Sequence, residues 1–343
     1  MNINYILYLT IFFIFVYFIF KKYEILQENV NYSDHKKLGK SNRAPIIIGG
    51  LFIVTSLLVF LPINLIFFKI ASISIFLVGI LSDKNIISSP KLRLFFQISV
   101  IFFLVHFEKL NIVRVNIDFI DYLLNINYLN YFFTVFCFAV LINGSNFLDG
   151  LNGLISGYFI LVLTSTFYIS NYHINLNNDI KDLINLLLII TIIFYVFNLF
   201  GIVYLGDSGS YLLSITVGFI LIKMHQHTNF ISPYYIANML WYPAFENLFS
   251  LLRRYLSKNK ISSADKLHLH QLIFRFLRSK NVVKDEWMNT VTGLIVILMN
   301  IPSIYIATNY FFHSVILVSI IFYNLSIYLL IYYFLSKNFR LKK

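Results

Sequence analysis

Eleven apolar runs recur along the 343 residues, and a water-soluble globule of this size cannot hide them. They extend from Tyr5 to Phe20, Ile46 to Phe68, Ile70 to Leu81, Leu94 to Phe107, Tyr131 to Ile142 and Leu154 to Ile169. The others extend from Leu183 to Tyr204, Ser210 to Ile222, Tyr234 to Leu252, Trp287 to Ala307 and Phe311 to Leu335. A helix that crosses the hydrocarbon core, roughly 30 Å thick, needs about 20 mostly apolar residues. The shorter runs must therefore take in polar flanking residues or sit against thinned lipid. Composition agrees: 12% of residues are charged and 59% hydrophobic, against about 25% charged in soluble domains. The expectation is an all-α, polytopic membrane protein of about 10–11 transmembrane helices, forming one integral membrane domain over residues 1–343. No internal repeat or low-complexity linker divides it. Cys137 lies inside an apolar run and reads as a small hydrophobe.

The net charge of +12 does not point to nucleic acid, because the basic residues alternate with apolar runs instead of forming one patch. The first run has the length of a signal peptide, but its positive charges, Lys21 and Lys22, follow it, so it reads as a retained helix with its amino terminus outside. If the chain then alternates, residues 21–45, 82–93, 143–153, 205–209, 253–286 and 336–343 share one side, and these hold 22 of the 27 Lys and Arg. The exceptions are Lys69, Lys109, Arg114, Lys181 and Lys223. Such sorting is the positive-inside signal, and it predicts eleven spans with these loops and the carboxyl terminus in the cytoplasm.

Asp83, Asn143, Asn146, Asp149, Asp207 and Glu246 fall at the cytoplasmic ends of these runs. An ionisable group inside the membrane costs about 2.5 to 3.5 kcal/mol on insertion scales, so such residues usually face a polar cavity and carry function. In Asn143-Gly-Ser-Asn146-Phe-Leu-Asp149-Gly-Leu-Asn-Gly-Leu154, the three-residue spacing keeps the polar side chains on neighbouring turns of a helix end. A polar helix cap would explain one of them but not the array. In Leu205-Gly206-Asp207-Ser208-Gly209-Ser210 the carboxylate can hold a hard cation such as Mg²⁺ while backbone N–H groups meet phosphate oxygens. An ordinary helix N-cap is the competing reading.

The largest basic loop carries Arg253, Arg254, Asp265, Lys266, His268, His270, Arg275 and Arg278. Arg, Lys and His together suit a dense anion, although a solvated basic loop obeying the positive-inside rule would look the same. The His-x-His spacing without Cys does not match the usual zinc sites. There is no G-x-x-x-x-G-K-[ST] loop and no G-x-G-x-x-G after a strand, so a nucleotide would have to be held by the loops just described.

Taken in order, from about His35 to Arg278, these motifs resemble the polyprenyl-phosphate N-acetylhexosamine-1-phosphate transferase family. The run from Asn143 to Leu154 is the most specific match. Gly206 to Ser210 resembles the family's Gly-Asp-x-Gly-Ser turn, and Asp265-x-x-His268-x-His270 resembles its histidine motif. Pro45 with Gly49 and Gly50, Gly79 to Asp83 with Lys91 and Gln97, and Glu246 also have family counterparts. The resemblance implies transfer of a sugar 1-phosphate from a UDP-activated N-acetylated sugar to undecaprenyl phosphate, with release of UMP. It implies Mg²⁺ as cofactor, with Mn²⁺ as a substitute, and a multi-pass protein of the bacterial inner membrane among membrane lipids. A homodimer is compatible with it.

By the same resemblance, Asp207 and Asp149 are metal residues, and Asp83, Asp149 and His268 act in catalysis. Asn143, Asn146, Gly206, Asp265, His270, Arg253, Arg254 and Lys91 bind substrate. Four departures stand out: Ser82 replaces an Asp, Ile202 a basic residue and Gln271 a third His, while Pro45 is one residue further than usual from Gly49-Gly50. Ser82 is expected to add at most one hydrogen bond, on the order of 1 kcal/mol, because a phosphate monoester is already largely dianionic at neutral pH. Asp83 is expected to remain essential. The alternatives are a transporter or lipid flippase, whose acids should lie near the midplane, and a scaffold whose basic loops bind anionic headgroups.

Overall fold

The structure, a computed structural model, describes residues 3–26, 45–228, 230–257 and 267–340. Each of the eleven apolar runs is met by one helix: α1 (Ile3–Lys22), α2 (Gly49–Phe60), α3 (Ile66–Asp83), α4 (Pro90–Phe107), α6 (Asn127–Leu148), α7 (Leu154–Tyr172), α8 (Asn178–Leu199), α9 (Gly206–His227), α10 (Pro233–Leu256), α12 (Asp285–Asn309) and α13 (Ser314–Arg340). Two shorter helices, α5 (Asp118–Leu124) and α11 (Leu269–Ser279), lie between runs. Among the described residues, eight helices are long and apolar enough to cross a membrane. The protein is thus an all-α, multi-pass membrane protein.

Among the remaining three, α2 is a shorter apolar helix, whereas α9 and α10 are long but carry polar side chains that the interior covers. Asp207, Ser208, Ser210, Ser214 and Thr216 of α9 are buried, as are Asn238, Glu246, Asn247 and Ser250 of α10. A helix enclosed by other helices does not meet lipid and need not be apolar. At the periphery the relation reverses: Phe15 and Phe18 of α1, Phe95 and Phe102 of α4, and Phe322, Leu330 and Phe334 of α13 are exposed. These are the faces that acyl chains would cover.

One boundary differs from the hydropathy reading, which runs from Ile46 to Phe68 and restarts at Ile70. The first helix ends at Phe60, a 3₁₀ turn covers Ile63–Leu65, and the next helix starts at Ile66. Pro62 explains the break, since it lacks an N–H and pushes Leu61 out of the helical region; Leu61 is extended, with ψ 149°. Lys69 then donates to the carbonyls of Leu58 and Leu61 at 3.1 and 2.8 Å. It thereby satisfies carbonyls that the end of α2 leaves open. Lys223, at the same end of the bundle, pairs with Glu108 at 3.3 Å. Two of the five basic residues that depart from the charge sorting are thus engaged in local structure.

Hydropathy gives no sign of the two short strands, β1 (Ile46–Ile47) and β2 (Val203–Tyr204), which pair in parallel with Ile46 opposite Val203. Because α2 and α9 each begin just after one strand, the pairing sets their first turns side by side. Helix α9 packs against α2, α3 and α6 and is buried from Asp207 to Ile222. A Cβ at Gly79 would lie 2.2 Å from the Ser208 Cα, so only glycine lets α3 approach the start of α9.

Candidate functional site

The last turn of α3 and the first turn of α9 meet through two carboxylates with different tasks. Asp83 accepts the Asp207 N–H on Oδ1 at 2.7 Å and the Ser208 N–H on Oδ2 at 3.1 Å. It caps α9 from a different helix, 124 residues away in sequence, and its negative charge lies at the positive end of the helix dipole. Gly206 makes the turn: its φ is +73°, and a Cβ there would lie 2.8 Å from the Asp83 Oδ2.

Asp207, 5% exposed, engages its carboxylate with other partners. Its Oδ2 accepts from the Ser82 hydroxyl at 2.5 Å, from Arg93 Nη1 at 3.2 Å and from the Tyr211 hydroxyl at 3.2 Å. A buried carboxylate needs such compensation, and here one cation and two hydroxyls supply it. Arg93 also donates to the Ser82 Oγ at 3.1 Å, closing a triangle. Sequence reasoning placed Lys91 near this site and passed over Arg93. Lys91 is exposed at the start of α4, whereas Arg93 lies one helical turn before Gln97. That i, i+4 relation was the available signal, since such residues share a helix face.

The Asn143–Leu154 run ends α6 and reaches three neighbours. Asn143 donates to the Gln97 Oε1 at 3.2 Å, and the Ser210 hydroxyl donates to the Asn146 Oδ1 at 3.0 Å. Asp149, half-buried, follows the last helical residue. Beyond it the Gly153 N–H donates to the Asn198 Oδ1 at 2.7 Å, while Asn198 Nδ2 donates to the Val203 carbonyl at 2.8 Å. Asn198, a buried amide near the end of α8, thereby ties the run to β2. Sequence analysis did not single it out.

The histidines form a second cluster. Glu246 on α10 is fully buried; its Oε2 lies 2.9 Å from His268 Nδ1 and its Oε1 accepts the Leu269 N–H at 3.0 Å. Phe147 places its ring 4.7 Å from that of His268, and His270 stacks on His268 at 5.6 Å. The end of α6 therefore links both clusters, Asn146 to the α9 turn and Phe147 to His268. Arg253 points elsewhere: it donates to the Leu267 carbonyl and the Tyr332 hydroxyl, each at 2.9 Å, and lies over the rings of Phe249 and Tyr332. Arg254 is buried, with Nε 3.4 Å from the Ser250 carbonyl. Asp265 lies outside the described residues.

Among the described residues no three His, Cys, Asp or Glu side chains are grouped to hold a metal ion. That arrangement is compatible with Mg²⁺, which usually takes one or two protein carboxylates and completes its octahedron with water and phosphate oxygens. Asp207 is the carboxylate beside which hydroxyl donors and a cation already gather, and Asp149 and Asp83 lie on the adjoining helix ends.

The family described as glycosyl transferase family 4 matches residues 64–225. A protein of Bacillus subtilis (strain 168), named as a probable undecaprenyl-phosphate N-acetylglucosaminyl 1-phosphate transferase, is 26% identical over 207 residues, which is 59% of this chain. The similarity spans 56% of that relative's length. The matched segment carries Asp83, Arg93, Asn146, Asp149 and Asp207, so the resemblance expected from the motifs is borne out: over residues 64–225 the chain is similar to glycosyl transferase family 4.

Proposed function

We propose that this membrane protein transfers a sugar 1-phosphate from a UDP-activated N-acetylated sugar to undecaprenyl phosphate, releasing UMP and starting a cell-envelope polysaccharide. The observation that carries the reading is the convergence of three sequence-distant motifs on the first turn of α9. Asp83 caps it, Asn146 bonds to its Ser210, and Asp207 opens it beside Arg93.

In the proposed reaction an oxygen of the acceptor phosphate forms a bond to the sugar-bearing phosphorus of the donor. The bond from that phosphorus to the bridging oxygen breaks, and the electron pair leaves with UMP. Phosphoryl transfer between two anions depends on positioning and charge neutralisation more than on covalent help from the protein. Mg²⁺, for which Mn²⁺ can stand in, would supply neutralisation of the diphosphate when held by Asp207 and Asp149. Asp83 keeps the Asp207 backbone in place through the α9 cap. Arg93 and Ser82 hold the Asp207 carboxylate in one orientation, and Arg93 adds a positive charge where the phosphates would meet. Asn143 and Asn146 offer amides to the nucleotide sugar, and His268 and His270 offer ring nitrogens to its diphosphate.

The same helix ends border the segments that hold most of the basic residues, so the charge sorting supports a cytoplasmic site in the bacterial inner membrane. There a soluble nucleotide sugar and a lipid phosphate can both reach it. A transporter would use acids near the midplane, whereas Asp83, Asp149 and Asp207 gather at one end of the bundle. The test is direct: membranes containing the protein are incubated with a panel of UDP-sugars, undecaprenyl phosphate and Mg²⁺. UMP and a lipid-linked sugar diphosphate are expected. A folded preparation inactive with every donor would refute the reading.

A further inference from the structure

The packing of α6 on α10 gives Glu246 a task that its position in a buried helix does not announce. Pro243 lies inside the continuous helix α10; it cannot donate to the carbonyl one turn back, that of Met239, and the Tyr158 hydroxyl from α7 bonds this carbonyl at 2.9 Å instead. At the same level the backbones of α6 and α10 nearly touch, since a Cβ on Gly144 would lie 2.0 Å from the Pro243 oxygen. Asn247 fixes the register by donating to the Val140 carbonyl at 3.0 Å. Three residues beyond the contact, α6 presents Phe147 and α10 presents Glu246, about 4.5 Å further along each helix. His268 occupies the space where they converge, its ring against Phe147 and its Nδ1 against Glu246 Oε2.

Both oxygens of this carboxylate are engaged. Oε1 takes the Leu269 N–H, at the first turn of α11. An ionised carboxylate can only accept, so with Glu246 charged Nδ1 of His268 is the donor and its proton is fixed there. The partner of one ring nitrogen decides what the other can do. With Nδ1 protonated, Nε2 of the neutral ring is an acceptor, and it becomes a second donor only when the ring takes up a proton. Tyr242 and Tyr328 lie beside the same carboxylate, so its immediate surroundings come from α10, α11, α13 and the histidine segment.

We propose that Glu246 is a positioning residue: it holds His268 with Nδ1 protonated and the ring seated on Phe147. Its effect on turnover rests on the transferase reading above, but its effect on the ring proton does not. Glu246→Gln preserves shape and can accept only one of the two donors through its amide oxygen, which removes the constraint on Nδ1. Glu246→Asp keeps a two-sided acceptor on a shorter stem.

The experiment is ¹⁵N-histidine NMR of the full chain in nanodiscs, with the His268 signal assigned by its loss in His268→Gln, run beside steady-state kinetics. The wild type should show Nδ1 protonated, and Glu246→Gln should lose that exclusive protonation. Glu246→Gln should lower kcat by at least about tenfold with little change in the KM for donor, and Glu246→Asp should recover part of the loss. An unchanged His268 spectrum in folded Glu246→Gln would overturn the proposal, as would a wild-type ring protonated only at Nε2. If no donor supports turnover in the wild type, the transferase reading fails while the spectra still decide the role of Glu246 toward His268.

Discussion

Ser82 donates its hydroxyl to Oδ2 of Asp207 across 2.5 Å, linking the ends of two helices 125 residues apart in sequence. The resemblance leads to the expectation of an Asp in place of Ser82, and a second carboxylate so near Asp207 would add a like charge. A hydroxyl instead stabilises the carboxylate already present, alongside the Arg93 guanidinium.

The Ser82→Ala variant should therefore stay active but weakened. The single neutral hydrogen bond expected from the sequence corresponds to about a fivefold effect, but a bond to a charged acceptor is worth about 1.5–3 kcal/mol, or roughly ten- to a hundredfold. Turnover should fall toward the lower end, because Arg93 and Tyr211 still hold the same oxygen. The wild-type rate should decline below about pH 6 as the acceptor phosphate takes up its second proton. Inactivity of folded Ser82→Ala would instead make Ser82 part of the proton-handling machinery.

Asp207→Asn should fold and lose activity by several orders of magnitude, since the amide keeps the shape but neither attracts a cation nor balances Arg93. Titrating Mg²⁺ in residual-activity assays checks the assignment. An unaltered metal dependence would transfer the ligand role to Asp149 or Asp83.

The Arg93–Asp207 pair is open to a double-mutant cycle. Arg93→Ala alone removes the guanidinium 3.2 Å from a largely buried carboxylate and should lower the melting temperature of the detergent-solubilised protein. In an Asp207→Asn background the same change should cost little. The coupling should be about 1–3 kcal/mol, and additive effects would show that the pair contributes nothing to stability.

Gly79→Ala should abolish folded protein, because its Cβ would meet backbone atoms of Ser208 at 2.2 and 2.5 Å. Neither helix can yield without moving the Asp83 cap. Size-exclusion profiles of a fluorescent fusion give the yield directly, and a monodisperse peak of wild-type height would refute the close approach of α3 and α9.

Orientation has its own measurement. A reporter fused after Lys343 should read cytoplasmic, as the sorting of 22 of 27 basic residues requires. An external signal would invert the proposed topology and place the acids on the face away from the soluble donor.

How much the amino-acid order settled by itself depends on what kind of information each feature needs. That eleven helices form, and roughly where, follows from apolar runs alone, because lipid leaves a chain no alternative to satisfying its own backbone. The Asn143–Leu154 and Gly206–Ser210 runs were readable for a similar reason: polar side chains at helix ends are costly in a membrane and so stand out. The end of α2 was also written locally, in Pro62, but hydropathy averaged over it. The tasks of the polar residues were a different matter. Asp83 as the cap of α9, Arg93 rather than Lys91 on Asp207, Arg253 turned toward Tyr332, Asn198 holding Gly153, and Glu246 holding His268 all depend on how each helix is rotated and how closely it approaches its neighbours. Glycines at 79 and 144 set those distances, and only the packed tertiary structure brings such sequence-distant partners within hydrogen-bonding reach. A hydropathy pattern records how deeply a side chain must be buried, whereas a directional bond a few ångströms long depends on which atom faces it across the helix interface.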